Sequence, residues 1–264
     1  MDLGIRGKTA LVGGASRGLG FAVSRRLAEE GAHLVLVARE ETALLDARRR
    51  LLELGGEQRI VVVPADLSVK EDVDRMLSFV RRECGVVDIL VHNTGGPPPG
   101  VFLDHDDEAW DAAYAGLLLS VVRVVRGLLP GMIEHEWGRL ILNTSFTVRE
   151  PADRLILSNV FRTGGVALAK TLAREVASDG ITVNCVCPGS FDTQRLRSIF
   201  DEQAAASNRS RDDISNEWRK RIPLGRFLRP EELGDLVAFL ASDLAGGITG
   251  GTFPIEGGML HGLF

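Results

Sequence analysis

Four lysines (Lys8, Lys70, Lys170 and Lys220), three cysteines and a single tyrosine are all that 264 residues hold of these types, and each scarcity excludes something. Cys84, Cys185 and Cys187 form no disulfide framework of the kind small secreted domains use, which points to a reducing compartment. No metal is expected, because Cys185 and Cys187 have no further ligand residues beside them. Two apart in an apolar run, they read as small core residues on one face of a strand. No uninterrupted apolar run approaches a membrane span, and the opening Met-Asp-Leu-Gly-Ile-Arg lacks the apolar core of a signal peptide. A cytoplasmic protein with no membrane partner is therefore expected. Basic residues are not in excess: 31 Lys and Arg against 36 Asp and Glu give a formal net charge of -5, no reason to expect a nucleic-acid partner.

What is present is a regular alternation of short apolar runs and amphipathic stretches. Strands are predicted at Thr9–Val12, His33–Ala38, Ile60–Val63, Asp88–His92, Arg139–Asn143, Ile181–Cys187 and Thr252–Ile255. Between them, helical spacing covers Phe21–Glu30, Glu41–Leu54, Lys70–Glu83, Glu108–Glu136 (with a break or bend), Ser158–Ser178 and Glu231–Ser242. Strand–helix alternation implies parallel strands joined by helical crossovers, and strands without polar alternation imply that both sheet faces are covered. The fold class is α/β, a single doubly wound parallel sheet of Rossmann type with helices on both faces. No linker or composition break divides the chain, so residues 1–264 read as one dinucleotide-binding domain. The polar stretch 194–222 reads as a lid-like helical excursion from it.

The first strand runs into Gly13-Gly14-Ala15-Ser16-Arg17-Gly18-Leu19-Gly20, and a helix follows at once. Glycines allow the tight turn and the close approach of backbone to a phosphate, and the helix N-terminus offers free N–H groups and the positive end of its dipole. Gly14, Ser16, Arg17, Gly18, Leu19 and Gly20 are the candidate contacts to a dinucleotide pyrophosphate. The second strand ends Val37-Ala38-Arg39-Glu40. An acid at the strand end would hold the ribose 2′-hydroxyl of NAD, whereas arginine accommodates the 2′-phosphate of NADP. Arg39 and Arg17 favour NADP(H) over NAD(H), and Glu40, the competing acid, is expected to begin the next helix.

With these residues in place the chain resembles the short-chain dehydrogenase/reductase family over nearly its whole length, and is close in pattern to the β-ketoacyl carrier-protein reductases. The glycine loop is similar to the family's TGxxxGxG with Gly13 at the threonine, His92-Asn93-Thr94-Gly95 resembles NNAG, and Pro188-Gly189-Ser190-Phe191-Asp192-Thr193 resembles PG-x-x-x-T. Pro223-Leu224-Gly225-Arg226, Arg229-Pro230-Glu231-Glu232 and Glu256-Gly257-Gly258 resemble the family's C-terminal part. The resemblance implies an adenine contact from Asp66 and further cofactor contacts from Asn93, Gly95, Pro188, Gly189 and Thr193. It also implies a small-molecule carbonyl or alcohol substrate, such as a 3-oxoacyl-like compound. A homo-oligomer, tetramer or dimer, would pair through Glu108–Glu136, Ser158–Ser178 and the last strand.

The family's catalytic Asn-Ser-Tyr-Lys set is where the sequence departs. With Leu172-Ala173-Arg174-Glu175-Val176 fixing the register, the four positions hold Leu117, Ser145, Ser158 and Arg162. Only the serine at 145 is kept. A serine hydroxyl is a far weaker acid than the phenol it replaces at 158. Arg162 keeps the positive charge and the capacity to hold a ribose, but it stays protonated and cannot shuttle a proton. Ser145, Ser158 and Arg162 are the candidate catalytic residues, with Arg162 also counted toward the cofactor. Alternative proton donors are Tyr114, which shares a helix face with Leu117, and His92 and His105, with His92 preferred because it ends a strand on the cofactor side. Pro97-Pro98-Pro99 makes a stiff loop that would shape the pocket mouth. Three functions remain open: an oxidoreductase with an atypical proton donor, which the motifs place first; a cofactor-binding protein with little turnover; and a non-redox enzyme on the same fold.

Overall fold

The seven short apolar runs become seven parallel strands of one sheet in the computed structural model, which describes residues 2–263. The strands are β1 (Thr9–Gly13), β2 (His33–Ala38), β3 (Ile60–Pro64), β4 (Ile89–His92), β5 (Gly138–Asn143), β6 (Ile181–Pro188) and β7 (Thr252–Ile255). Each lies within a residue of its expected ends. The two end residues of the expected domain, 1 and 264, lie outside the described residues. The spatial order is β3-β2-β1-β4-β5-β6-β7. The chain thus builds outward from β1 to β3, returns to the middle, and builds the other way from β4 to β7. The β1–β4 seam, where Ala10 pairs with Ile89 and Val12 with Val91, is the switch point at which such sheets open a crevice at their carboxyl ends.

Both faces are covered, which is why β1 and β6 are buried along their whole length. On one face α1 (Gly18–Glu29) and α2 (Glu41–Leu52) contribute Leu27, Leu44 and Leu51 to a core shared with Leu34 and Leu36. On the other, α3 (Lys70–Glu83) contributes Val73, Met76 and Val80, packed with Leu11 and Leu90. Gly31, at φ 83°, follows the C-terminus of α1 as expected, and its N–H bonds Ala28 at 2.8 Å. The helix itself starts earlier than the apolar periodicity predicts, at Gly18, because the glycines of its first turn carry no apolar signal.

The predicted break within 108–136 is a π-turn. After α4 (Asp107–Tyr114), capped by Asp106, residues Ala115–Leu119 widen to π geometry before α5 (Ser120–Glu134) resumes. The Ser120 hydroxyl donates to the Gly116 carbonyl at 2.7 Å and satisfies an acceptor within the widened turn. As a whole, Asp107–Glu134 is long and apolar enough to cross a membrane by length and composition. The run read as interrupted in the sequence because Arg123 and Arg126 break it. Its apolar stripe, Val121, Val124, Leu128 and Met132, lies in the core beneath the sheet.

The helix α6 (Ile156–Val176) packs beside the π-turn on the same face. The polar stretch 194–222 forms two helices, α7 (Gln194–Ser207) and α8 (Arg211–Lys220). They share a small core of their own, Leu196, Phe200 and Ile214, with Trp218 and Phe227 packed against it. The chain then returns through α9 (Pro230–Ala241), which packs against α1.

Candidate active site

The glycine loop closes over the β1–β4 seam with almost no spare room. A Cβ on Gly20 would lie 2.2 Å from the Gly14 carbonyl oxygen, and one on Gly14 would meet the Asn93 amide nitrogen at 2.6 Å. Gly14 and Gly18 both take φ 58°, a conformation that favours glycine. Gly13, where the resemblance led one to expect threonine, has its own reason: a Cβ there would meet the Asn93 carbonyl at 2.6 Å. Asn93 ties three strands together. Its Nδ2 donates to the Gly13 carbonyl at 3.0 Å, and its Oδ1 accepts from Asn143 Nδ2 at 2.6 Å. The loop is held to β2 by the Ala15 N–H, which donates to the Val37 carbonyl at 3.1 Å. Ser16 and Leu19 lie half-buried along it, and Gly95 is exposed just beyond Asn93.

Two exposed arginines flank this cradle. Arg17 is the N-cap residue of α1, and its side chain makes no capping bond. Arg39 follows β2, and Glu40 stands at the N-cap of α2, as the sequence suggested. At the end of β3, Asp66 accepts at Oδ1 from the Ser68 N–H (2.9 Å) and hydroxyl (2.7 Å), which orients the carboxylate and leaves its other oxygen open.

Of the four positions that the resemblance assigned to the catalytic set, Ser145 and Arg162 meet at the carboxyl end of β5. The Ser145 oxygen accepts from the Thr147 N–H at 3.3 Å, so its own O–H remains available to donate. Arg162, on α6, donates through Nη1 to the carbonyls of Asn143 and Thr144, both at 3.0 Å. This fixes the guanidinium beneath the strand ends. Burial and the neighbouring charge of Arg195 push its pKa down to about 10, so it stays cationic at neutral pH. Ser158, one turn earlier on α6, is only 7% exposed. Leu117 is buried within the π-turn, so that widened turn presents no polar side chain at this position.

The alternative donors fare differently. Tyr114 is 41% exposed and belongs to an aromatic cluster with Trp110 and Phe161, its ring 6.0 Å from that of Phe161. His92 does end β4 at the carboxyl edge of the sheet, but it is only 3% exposed and its Nε2 has no partner among the described residues. Burial first, and the Arg162 charge second, push its pKa down to about 4, which leaves it neutral and a poor proton donor at physiological pH. His105 packs against Gly100 in the segment after Pro97-Pro98-Pro99, and Gly100 bridges Leu155 just ahead of α6.

The opposite wall starts where β6 ends at Pro188. A Cβ on Gly189 would lie 2.6 Å from that of Glu256, so glycine is needed for the chain to pass. The Thr193 hydroxyl caps α7 by accepting from the Leu196 N–H at 3.3 Å, and its methyl lies 3.8 Å from the Cβ position of Gly18. The start of α7 is thereby set against the glycine loop. Sequence reasoning missed Arg195, whose Nη2 lies 3.3 Å from the Cβ position of Gly96, across the cleft mouth. Nothing in the sequence separates it from Arg197, which instead pairs with Asp192 at 2.9 Å. Buried Cys185 and Cys187 behave as core residues, and burial pushes the Cys185 thiol up to about 12.

The family model for enoyl-(acyl carrier protein) reductase matches residues 14–260. The 3-oxoacyl-[acyl-carrier-protein] reductase FabG of Vibrio harveyi is 33% identical over 257 residues, covering 97% of this chain and 99% of that protein. Oxidoreductase UcpA of Salmonella typhimurium is 36% identical over 260 residues, covering 96% and 95%. Among solved structures, L-sorbose reductase from Gluconobacter frateurii, complexed with NADPH and L-sorbose, superposes with a TM-score of 0.95 at 36% identity, covering 100% of both chains.

Proposed function

From the premise that this chain belongs to the short-chain dehydrogenase/reductase family, we propose an NADPH-dependent reductase of a small carbonyl substrate that works without the family's phenolic acid. The observation that carries this reading is the tight closure of the cradle. Gly20 packs on Gly14 at a distance only glycine permits, while Arg17 and Arg39 stand exposed beside it. The glycine loop and the α1 N-terminus would hold the pyrophosphate of NADPH, Arg17 and Arg39 its 2′-phosphate, and Asp66 its adenine. Asn93, Gly95, Pro188, Gly189, Thr193 and Arg162 would line the ribose and nicotinamide end. NADPH supplies the hydride when bound.

The chain's own residues then have two tasks. Ser145 donates a hydrogen bond to the carbonyl oxygen, and buried Arg162 offers positive charge where negative charge develops. Ser158 closes the position where a phenol would stand and contributes at most a weak hydrogen bond, so the proton comes from water. We further propose that residues 1–264 act as one domain with 194–222 as its lid, that the protein works as a homotetramer, and that it resides in the cytoplasm, where its three free thiols are stable. Fluorescence titration with NADPH and NADH, followed by NADPH oxidation against a carbonyl panel, tests the reading. NADPH should bind more tightly, and Arg39→Asp should flatten or reverse the preference. Equal affinities in the wild type would refute the cofactor assignment. Tight NADPH binding without turnover on any carbonyl would leave a binding protein in place of a reductase.

A further inference from the structure

Two segments leave the carboxyl edge of the sheet side by side and meet again farther out. β4 and β5 are neighbours, and just beyond them Asn143 Nδ2 donates to Asn93 Oδ1 at 2.6 Å. Past that bond the chain runs through 94–99 on one side and through 144–153, Ser145 included, on the other. The two rejoin where the Gly100 N–H donates to the Arg154 carbonyl at 2.7 Å and Gly100 bridges Leu155. Between the fastenings, the Cβ position of Gly96 lies 3.3 Å from Arg195 Nη2 on α7, and that of Gly18 in the glycine loop lies 3.8 Å from the methyl of Thr193, which caps α7. This closed circuit of backbone therefore forms one rim of the cleft.

The outer fastening is strained. Arg154 takes φ 57°, a left-handed conformation that an arginine keeps only where its surroundings impose it. Asp104 supplies the restraint. Its Oδ2 accepts from the Val101 N–H at 3.0 Å and pairs with Arg154 Nη2 at 3.5 Å. An ion pair this exposed adds little to overall stability, so its effect is local and bears on where the Arg154 carbonyl points. Buried Gly100 admits no side chain, because a Cβ there would meet His105 Nε2 at 2.5 Å. Leu155 then opens α6. Its carbonyl accepts from the Asn159 N–H at 2.8 Å, while Asn159 Nδ2 donates back to the Ala152 carbonyl at 3.0 Å. Ser158 stands in the turn so fixed.

We infer that Asp104 is a positioning residue: through Arg154 it latches the 94–100 segment to the start of α6 and so fixes the width of the substrate pocket's mouth. This rests on the reductase reading and deepens it by naming a determinant of substrate selectivity. The rim is held at both ends and stiffened by Pro97-Pro98-Pro99, so it cannot spread to suit a bulky carbonyl compound. Small carbonyl compounds are thereby favoured over large ones. Releasing the latch frees the outer end, and the rim can then swing on the Asn93–Asn143 bond to admit larger molecules.

Amide hydrogen exchange in wild type and Asp104→Ala tests the latch without any turnover. Asp104 is exposed, so the variant keeps the fold. Protection of the Gly100 and Asn159 N–H groups, neither of which bonds Asp104, should fall together by about tenfold. Loosening confined to the Val101 N–H, which Asp104 itself accepts, would overturn the latch. Selectivity is then read on NADPH-loaded protein with vicinal diketones of increasing chain length, beginning with diacetyl. Asp104→Ala should cut the preference for diacetyl over the longest diketone by about fivefold or more, through KM and not kcat. Asp104→Glu should restore most of it, and NADPH affinity should stay within about twofold in both variants. A loosened rim with unchanged selectivity would overturn the positioning role and leave the reductase standing, as would NADPH affinity falling in step with selectivity. If the wild type reduces no carbonyl compound, the reductase reading fails, and exchange alone decides the latch: joint loosening of Gly100 and Asn159 supports it, and anything less overturns it.

Discussion

With Ser158 proposed at the position of the family's phenol, a primary alcohol there changes the acid available to the reaction by several pKa units, while Arg162 keeps a charge but cannot pass a proton. Simple neutral ketones, which need a general acid, should therefore be poor substrates, since a missing one costs about 10²–10⁴ in rate. The double variant Ser158→Tyr, Arg162→Lys should raise kcat on such ketones by about 10². Wild-type rates that already match an ordinary family reductase and survive Ser145→Ala would place the acid elsewhere. His92 gives a second residue-level prediction. Its folded pKa of about 4 lies below the reference 6.5, so the unfolded chain takes up a proton that the folded one refuses. Stability from this group is complete above pH 6.5 and falls as pH drops toward 4, by about 3 kcal/mol at most. Urea midpoints across that window should show the fall in the wild type and a shallower one in His92→Leu. Identical slopes would mean that His92 is not buried as described.

Elements differ in how clearly the sequence announced them. Apolar runs buried on both faces, such as Leu34–Val37, leave strand boundaries little freedom, so all seven strands were legible. The break in the long helix was legible too, but not its π geometry, because widening a turn by one residue leaves no compositional mark. The glycine loop was legible because a tight turn makes a local demand that glycine meets, whereas Asn93 and Asp66 were named only through the resemblance to the family. The anchoring of Arg162, the burial of His92 and the aim of Arg195 were not legible, because all three depend on elements brought together from distant parts of the chain. The α7–α8 pair was foreseen as polar and helical, and its thin private core of Leu196, Phe200 and Ile214 now gives it a mechanical meaning. As the proposed lid, this unit would open without disturbing the sheet. Trypsin should cut first near Arg209 and Arg211, in and just after the short link between the two helices, and NADPH with substrate should slow the cut. Phe200→Ala should hasten it, since truncating a buried phenylalanine costs about 3–5 kcal/mol. Equal protection in all states would argue against a lid.

At the scale of the whole molecule, exposed apolar side chains occur on several elements, and one group of them lies together. Phe102, Leu103, Tyr114 and Val160 lie on or beside α4 and α6, next to the aromatic cluster of Trp110 and Phe161. A surface of this kind invites a second copy. Sedimentation at micromolar concentration should show a tetramer, and Val160→Asp should drive it toward smaller species; a wild-type monomer would refute the assembly. The β1–β4 seam carries a further consequence, for the order in which the chain folds. Ala10 and Ile89 are neighbours in the sheet but far apart along the chain, so closing the seam carries a larger loop-closure cost than pairing β1 with β2. The crevice proposed for the cofactor is thus expected to close late, and Gly13, Asn93 and Asn143 are its fastenings. A ligand gripping both halves would act there as a rivet, slowing their separation while doing little for the speed at which they first meet.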